Sequence, residues 1–234
     1  AVALQRSHEA GTGQLIGRAR ELMARARRHL SRAAELGEHS ADLYCNLGMA
    51  AYNLGDMEGA RQAFRKMLQI EGGDDANNNL AIVYAKEAER LRQELKTSVM
   101  ASDERKHQLQ EEMRTAISTA LHYFHKALEL DRDNPVLHGN IGLAYMIRNR
   151  ETDVDSALRH WQQMRRLGGA EQAKRYEQLT RLVDAKEGTR AEFDETIMNY
   201  RPIDVNRALT VMPPSLAGPK YALLPVAAES DWLL

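Results

Sequence analysis

His122 and His125, three residues apart in "TALHYFHKALELD", are the pair best spaced to share a metal on one helical turn. A stable site needs a third ligand, and no Cys, His or carboxylate stands at suitable local spacing. The pair therefore reads as surface histidines, and no metal is expected. "GTGQLIG" (11–17) has the glycines of a phosphate loop without the strand that precedes one, so it reads as a flexible lead-in to a helix. Arg18, Arg25, Arg28 and Arg32 form a basic stripe opposite Leu15, Met23, Ala26 and Leu30. No aromatic is interleaved to stack bases, and Glu21 and Glu35 are placed to pair with it, so a solvated face is expected. No Ser/His/Asp or Cys/His set has helpful context for nucleophilic catalysis. The chain reads as a non-enzyme, with no catalytic residues and no cofactor.

Those side chains must be carried by something helical. The 234 residues are 43% hydrophobic and 28% charged, which suits one or two globular units. A formal net charge of −1 gives no overall bias toward nucleic acid or an acidic membrane. The single cysteine, Cys45, excludes an internal disulfide framework. No apolar run approaches the ~18–20 residues that span a bilayer, and no basic-then-apolar signal opens the chain. A cytoplasmic protein is expected. Because the first residue is not Met, a removed upstream signal or anchor leaves a periplasmic or membrane-peripheral location as the alternative. Five of the six prolines follow residue 200, so 13–187 reads as nearly uninterrupted helix and short turn, rich in Ala, Leu, Arg, Glu and Gln.

A long helical chain invites a search for internal repeats. Asn46-Leu47-Gly48, Asn79-Leu80-Ala81 and Asn140-Ile141-Gly142 align, each followed by a tyrosine: Tyr52, Tyr84 and Tyr145. Their second halves also match. Ala60 and Phe64 are followed by Met67 and Ile70; Ala120 and Phe124 by Ala127 and Leu130; Ala157 and Trp161 by Met164 and Leu167. The N-terminal Ala26, Leu30, Ala33 and Leu36 fit more loosely. This pattern resembles the tetratricopeptide repeat, W-x2-L-G-x2-Y…A-x3-F…P over 34 residues. The resemblance covers about 7–170. It departs where Gly11, Gly13 and Gly17 spoil a first helix, and where Gly72 and Arg132 replace the closing proline.

The resemblance implies an all-α helical-repeat solenoid of three repeats plus a degenerate N-terminal one. Its divisions are 1–40 (degenerate first repeat or N-terminal helix), 41–73, 74–134 and 135–170 (repeats), 171–187 (capping helix) and 188–234 (an irregular, proline-containing tail). Small residues would let paired backbones approach while Tyr52, Phe64, Phe124 and Trp161 fill the gaps between hairpins. The middle repeat has 61 residues against the family's 34. Ala88, Leu91, Leu95 and Val99 line one face going out, and Leu109, Met113, Ala116 and Ile117 one coming back, with Ser102 as a fresh N-cap. An antiparallel arm over about 86–113, roughly 20 Å long at ~1.5 Å per residue, is the simplest outcome. Leu95, Val99 and Met100 are its expected contact residues; an insertion without a role is the alternative.

The resemblance also implies that the first helix of each repeat lines a concave groove that holds peptides. Asn46, Asn79 and Asn140 would then form a ladder, whose amides can both donate to and accept from an extended backbone. The alternative is that this Asn supports packing between repeats. Met49, Asn53, Ile82, Lys86, Leu143 and Met146 complete the expected groove. The chaperone carboxylate-clamp subclass of the family is not expected: of its five positions, occupied here by Cys45, Met49, Asn79, Val136 and Asn140, only Asn79 matches. A mildly apolar peptide is expected instead. One candidate is the tail itself, in cis or from a neighbouring copy, because 201–234 carries Leu223, Leu224, Val226, Trp232, Leu233 and Leu234 among its prolines.

The resulting expectation is a non-catalytic protein-interaction scaffold or adaptor, with a peptide in the groove and the arm as a second contact surface. A regulatory or substrate-recruiting subunit of an enzyme complex is the runner-up. An RNA-associated helical-repeat protein using the Arg stripe is a weaker third reading, and no nucleic acid is expected.

Overall fold

In the computed structural model the described residues are 2–98 and 100–184, with the side chains of 2–16, 19, 182 and 184 left aside. Val99 and the expected tail at 188–234 therefore lie outside the described residues. Within them the chain is helical throughout, without strands: α1 (Val2–Glu35), α2 (Ala41–Asn53), α3 (Met57–Ile70), α4 (Asp74–Thr97), α5 (Asp103–Leu130), α6 (Pro135–Arg148), α7 (Asp153–Leu167) and α8 (Ala170–Asp184). α2 with α3, α4 with α5, and α6 with α7 are packed pairs, and each pair meets the next through α3–α4 and α5–α6. α1 and α8 flank the three hairpins, against α2 and α7.

Short polar residues set the helix starts. Ser40 Oγ accepts from the Leu43 amide at 3.2 Å, Asp56 from Gly59 at 2.9 Å, Ser102 from Arg105 at 3.3 Å, and Asn134 from Val136 at 3.0 Å. Each bond satisfies one of the amides a helix start leaves unpaired. Between α2 and α3 the chain reverses at Gly55, whose φ of 84° is a backbone state open to glycine at little cost. Where a degenerate repeat was one possibility, α1 is a single 34-residue helix running through Gly11, Gly13 and Gly17.

Each outer hairpin closes on a residue that has no room for a side chain. A Cβ built on Gly48 would lie 2.4–2.8 Å from three atoms of the Phe64 ring, and one on Gly142 would lie 2.1–2.7 Å from the Trp161 indole. The indole Nε1–H also donates to the Gly139 carbonyl at 3.2 Å, so Trp161 is locked by shape and by a hydrogen bond. On α4, Ala81 occupies the matching position and is buried with Phe124. Phe64, Phe124 and Trp161 are at most 1% exposed, and burying an aromatic side chain of this kind stabilises by about 1.5–3 kcal/mol.

The apolar stripes of α1, α3 and α5 outrun their packing. Leu36, Ile70 and Leu130, expected on the buried face, stand 65%, 47% and 63% exposed at helix ends where no neighbouring helix covers them. Met23 of α1 is likewise exposed. The basic stripe behaves as a solvated face in part: Arg25 pairs with Glu21 and Arg32 with Glu35, both at 2.8 Å.

The arm is the overrun of the middle hairpin. α4 has 24 residues and α5 has 28, against 13 and 14 in α2 and α3. That difference projects roughly 16–21 Å at 1.5 Å per residue. Leu91 and Leu109 are buried across its seam, and Leu95 and Met113 are packed against it. Arg105 bridges the two helices to Glu94 at 2.7 Å, and Arg90 reaches Glu87 and Glu94 on its own helix at 2.8 Å. Between the two helices, Met100 is 96% exposed. At the other end, Leu179 of α8 is fully buried and Tyr176 and Val183 pack beside it.

Adding one methyl tests the close approach. Gly142→Ala is expected to lower stability by about 1–3 kcal/mol through overpacking against Trp161. Gly17→Ala, where nothing lies within 4 Å, is expected to be neutral or stabilising by up to about 1 kcal/mol, since alanine favours a helix. Thermal unfolding of the two variants checks this, at roughly 2–4 °C per kcal/mol for a chain of this size.

Candidate protein-binding surface

The expected groove residues separate into two groups. On α2, Asn53 is exposed, and Asn46 and Met49 are partly exposed. Asn53 turns its amide back on its own helix, donating to the Met49 carbonyl at 2.8 Å. On α4 and α6, Asn79, Ile82, Asn140, Leu143 and Met146 are between 0% and 5% exposed. An open ladder of asparagines is thus corrected to one accessible rung, Asn46, and two buried ones.

The buried rungs hold the hairpins together. Asn140 Nδ2 donates to Asn78 Oδ1 at 2.8 Å, and Asn78 Nδ2 donates to Asn79 Oδ1 at 3.2 Å. This chain of amides joins α6 to α4, so the packing role weighed for this position applies to Asn140. Asn78, its central member, escaped the repeat alignment. The run Asn77-Asn78-Asn79 carries a signal for it: asparagine is a poor helix former, and three in a row inside a helix call for tertiary partners. Asn79 Nδ2 is buried and has no hydrogen-bond partner among the described residues.

A charged group sits further along α4. Glu89 is 4% exposed and pairs with Lys86 at 2.8 Å through Oε2, while its Oε1 is buried without a partner among the described residues. Burial first, and then the Glu89 carboxylate, push the Tyr52 hydroxyl of α2 up to about 12. Tyr52, Lys86 and Glu89 therefore form a polar patch at the base of the arm, where α2 ends and α4 continues. Lys86 was legible as an edge of the groove; Glu89 was not, because a single acidic residue on an arm helix looks solvated. Of the expected arm contacts, Leu95 is committed to the seam and Met100 stands free at the tip.

One of the two expected surface histidines lies elsewhere. His122 is exposed, but His125 is half-buried against Tyr145 and His160, and His160 in turn packs on His138. His138 Nε2 lies 3.2 Å from the Arg132 carbonyl, which can only accept, so this nitrogen carries the proton. Its Nδ1 then accepts from His160 Nδ1–H at 3.0 Å. Tyr145 Oη and His125 Nε2 are 3.3 Å apart, and Arg148 stacks on the Tyr145 ring with its charge engaged by the buried Asp153. Burial lowers all three imidazoles. His160, also flanked by His138, His125 and Arg159, is lowered furthest, to about 4. Among the described residues no three His, Cys, Asp or Glu side chains are placed to hold a metal ion.

A histidine whose folded pKa lies below its unfolded value of about 6.5 makes the unfolded state bind more protons between the two values. Stability contributed by neutral His160 is thus complete above about pH 6.5 and falls toward pH 4. Thermal unfolding is expected to show a midpoint several degrees lower at about pH 5 than at about pH 7.5, with part of that loss absent in His160→Gln. An identical acid loss in His160→Gln would mean that the cluster does not govern it.

Comparison with known proteins agrees with the hairpin geometry. Residues 41–74, which hold α2, α3 and the turn that follows, match the tetratricopeptide repeat family. No curated protein matches the chain. No described helix is long and apolar enough to cross a membrane. The chain thus carries one matched tetratricopeptide repeat, at 41–74, inside an all-helical array of hairpins.

Proposed function

We propose that the chain is a non-catalytic adaptor that binds an extended protein segment along the accessible face of α2 and onto the base of the arm. Tetratricopeptide repeats are protein-interaction modules in general, and the matched repeat supplies Asn46, Met49 and Asn53 on one partly open helix face. The observation that carries the reading is that Asn46, Met49 and Asn53 of α2 stay accessible while the equivalent Asn79 and Asn140 are buried. A partly open asparagine amide can both donate to and accept from an extended backbone. Met49 and the methylenes of Lys86 give the segment apolar contact between its ends. The tail at 201–234, in cis or from another copy, is one such segment, and the arm with Met100 at its tip is the second surface.

Quantitative pull-down of the partner with three forms of the chain tests this. Asn46→Ala, Met49→Ala and Asn53→Ala together are expected to weaken capture by about tenfold or more, while circular dichroism stays unchanged because none of the three is fully buried. Deletion of 88–113 is expected to weaken it less. If the triple variant retains every partner and the deletion releases them, the groove reading is wrong and the arm carries the function.

A further inference from the structure

The geometry points to a second binding cleft, on the opposite side of α2, that takes an acidic segment of a partner protein. Tyr44, Leu47 and Ala51 each precede a groove residue, Asn46, Met49 or Asn53, by two positions. At about 100° per residue those two sets face roughly 200° apart around the helix. What lies over the second set is a cleft of about 520 Å³ between α1 and α3, floored by Leu47, Ala51 and Ala63. That volume is within the ~300–1,000 Å³ typical of ligand clefts. A smaller cleft of about 450 Å³ shares Arg27 and Ser31 with it, so the two are continuous along α1.

The charge of this surface is one-sided. Arg65 and Lys66 of α3 and Arg27 and Arg28 of α1 line it, and Glu35 is the one carboxylate among its lining residues. The nearby acids are already engaged: Asp56 by Arg27, Glu58 by Arg61 and Gln62, and Glu35 by Arg32. The Gly59 amide first, and then Arg27, hold the Asp56 carboxyl below its usual range. Arg65 donates to the Tyr84 hydroxyl at 2.7 Å and makes no ion pair among the described residues. Arg28 and Lys66 make no ion pair among the described residues. Three cations without counter-charges over a short apolar floor fit a segment with two or more carboxylates and a small aliphatic side chain between them.

A nucleic acid fits less well. The one aromatic lining the cleft, Tyr44, is stacked on His39 with 3° between the ring planes and bonded to it at 2.9 Å, so its ring is not free to stack a base. The cations are gathered at one place instead of tracking along a strand. This cleft shares no residue with the proposed α2 groove, and the two can fail separately.

Fluorescence anisotropy on the full chain tests the assignment, with a fluorescein-labelled peptide DLEDLE, its basic counterpart KLKKLK, and a labelled oligouridine of about twelve nucleotides. The acidic peptide is expected to bind saturably and to lose affinity as salt is raised. Lys66→Glu with Arg28→Glu should weaken it by about tenfold or more, Lys66→Gln should weaken it less, and Met49→Ala on the opposite face should change it by less than about twofold. Circular dichroism establishes that each variant is folded. Absence of saturable binding, equal affinity for KLKKLK, or unchanged affinity in the folded double charge reversal overturns the assignment. So does tighter binding of the oligouridine than of the acidic peptide at the same cations, which would make this a nucleic-acid surface.

Discussion

The close approach of two helices over a residue without a side chain is what the rest of the structure depends on. Gly48 under Phe64 and Gly142 under Trp161 bring backbones so near that a single methyl would overlap the ring. That proximity decides how each hairpin closes. The aromatic seals the space, and the stripes following it (Met67 after Phe64, Met164 after Trp161) are left to meet their neighbours. A hairpin closed this way has one buried side and needs another hairpin beside it, so stability is shared between units. The amide chain from Asn140 through Asn78 to Asn79 and the imidazoles between α5, α6 and α7 are the two polar seams of that sharing.

The middle hairpin obeys the same rule at its base and leaves it further out. Near Ala81 and Phe124 it packs like its neighbours. Past Glu89, among the described residues, α4 and α5 bury their apolar faces on each other. Leu91 and Leu109 do this, and the remaining surface becomes charged, with Glu94 held below the usual carboxylate range first by Arg105 and then by Arg90. Tyr52, Lys86 and Glu89 mark the border between the two regimes, and the unsatisfied atom of Glu89 lies at that border.

Most of the fold was legible because it is written in residue size and spacing. Glycine or alanine on the first helix and an aromatic on the second recur at fixed offsets, and Ser102 announced the return helix of the arm. The surface was legible only in part. Asn46 and Asn140 occupy equivalent repeat positions, yet one is partly exposed and the other fully used in packing, because α2 and α6 differ in what lies against them. Spacing along a chain carries no record of that. His125 was mistaken for a surface residue for the same reason: its partners, Tyr145 and His160, come from two other helices. The cleft beside α1 was hidden too, since its cations belong to helices joined through a third.

The account turns on which surface of the molecule touches a protein partner. Photo-crosslinking from benzoylphenylalanine placed at Met49, and separately at Met100, reads this directly when the crosslinked peptide of the partner is sequenced. The account predicts one defined segment captured from position 49, with position 100 reaching a different part of the same partner. Capture from position 100 alone, with nothing from position 49, would contradict it.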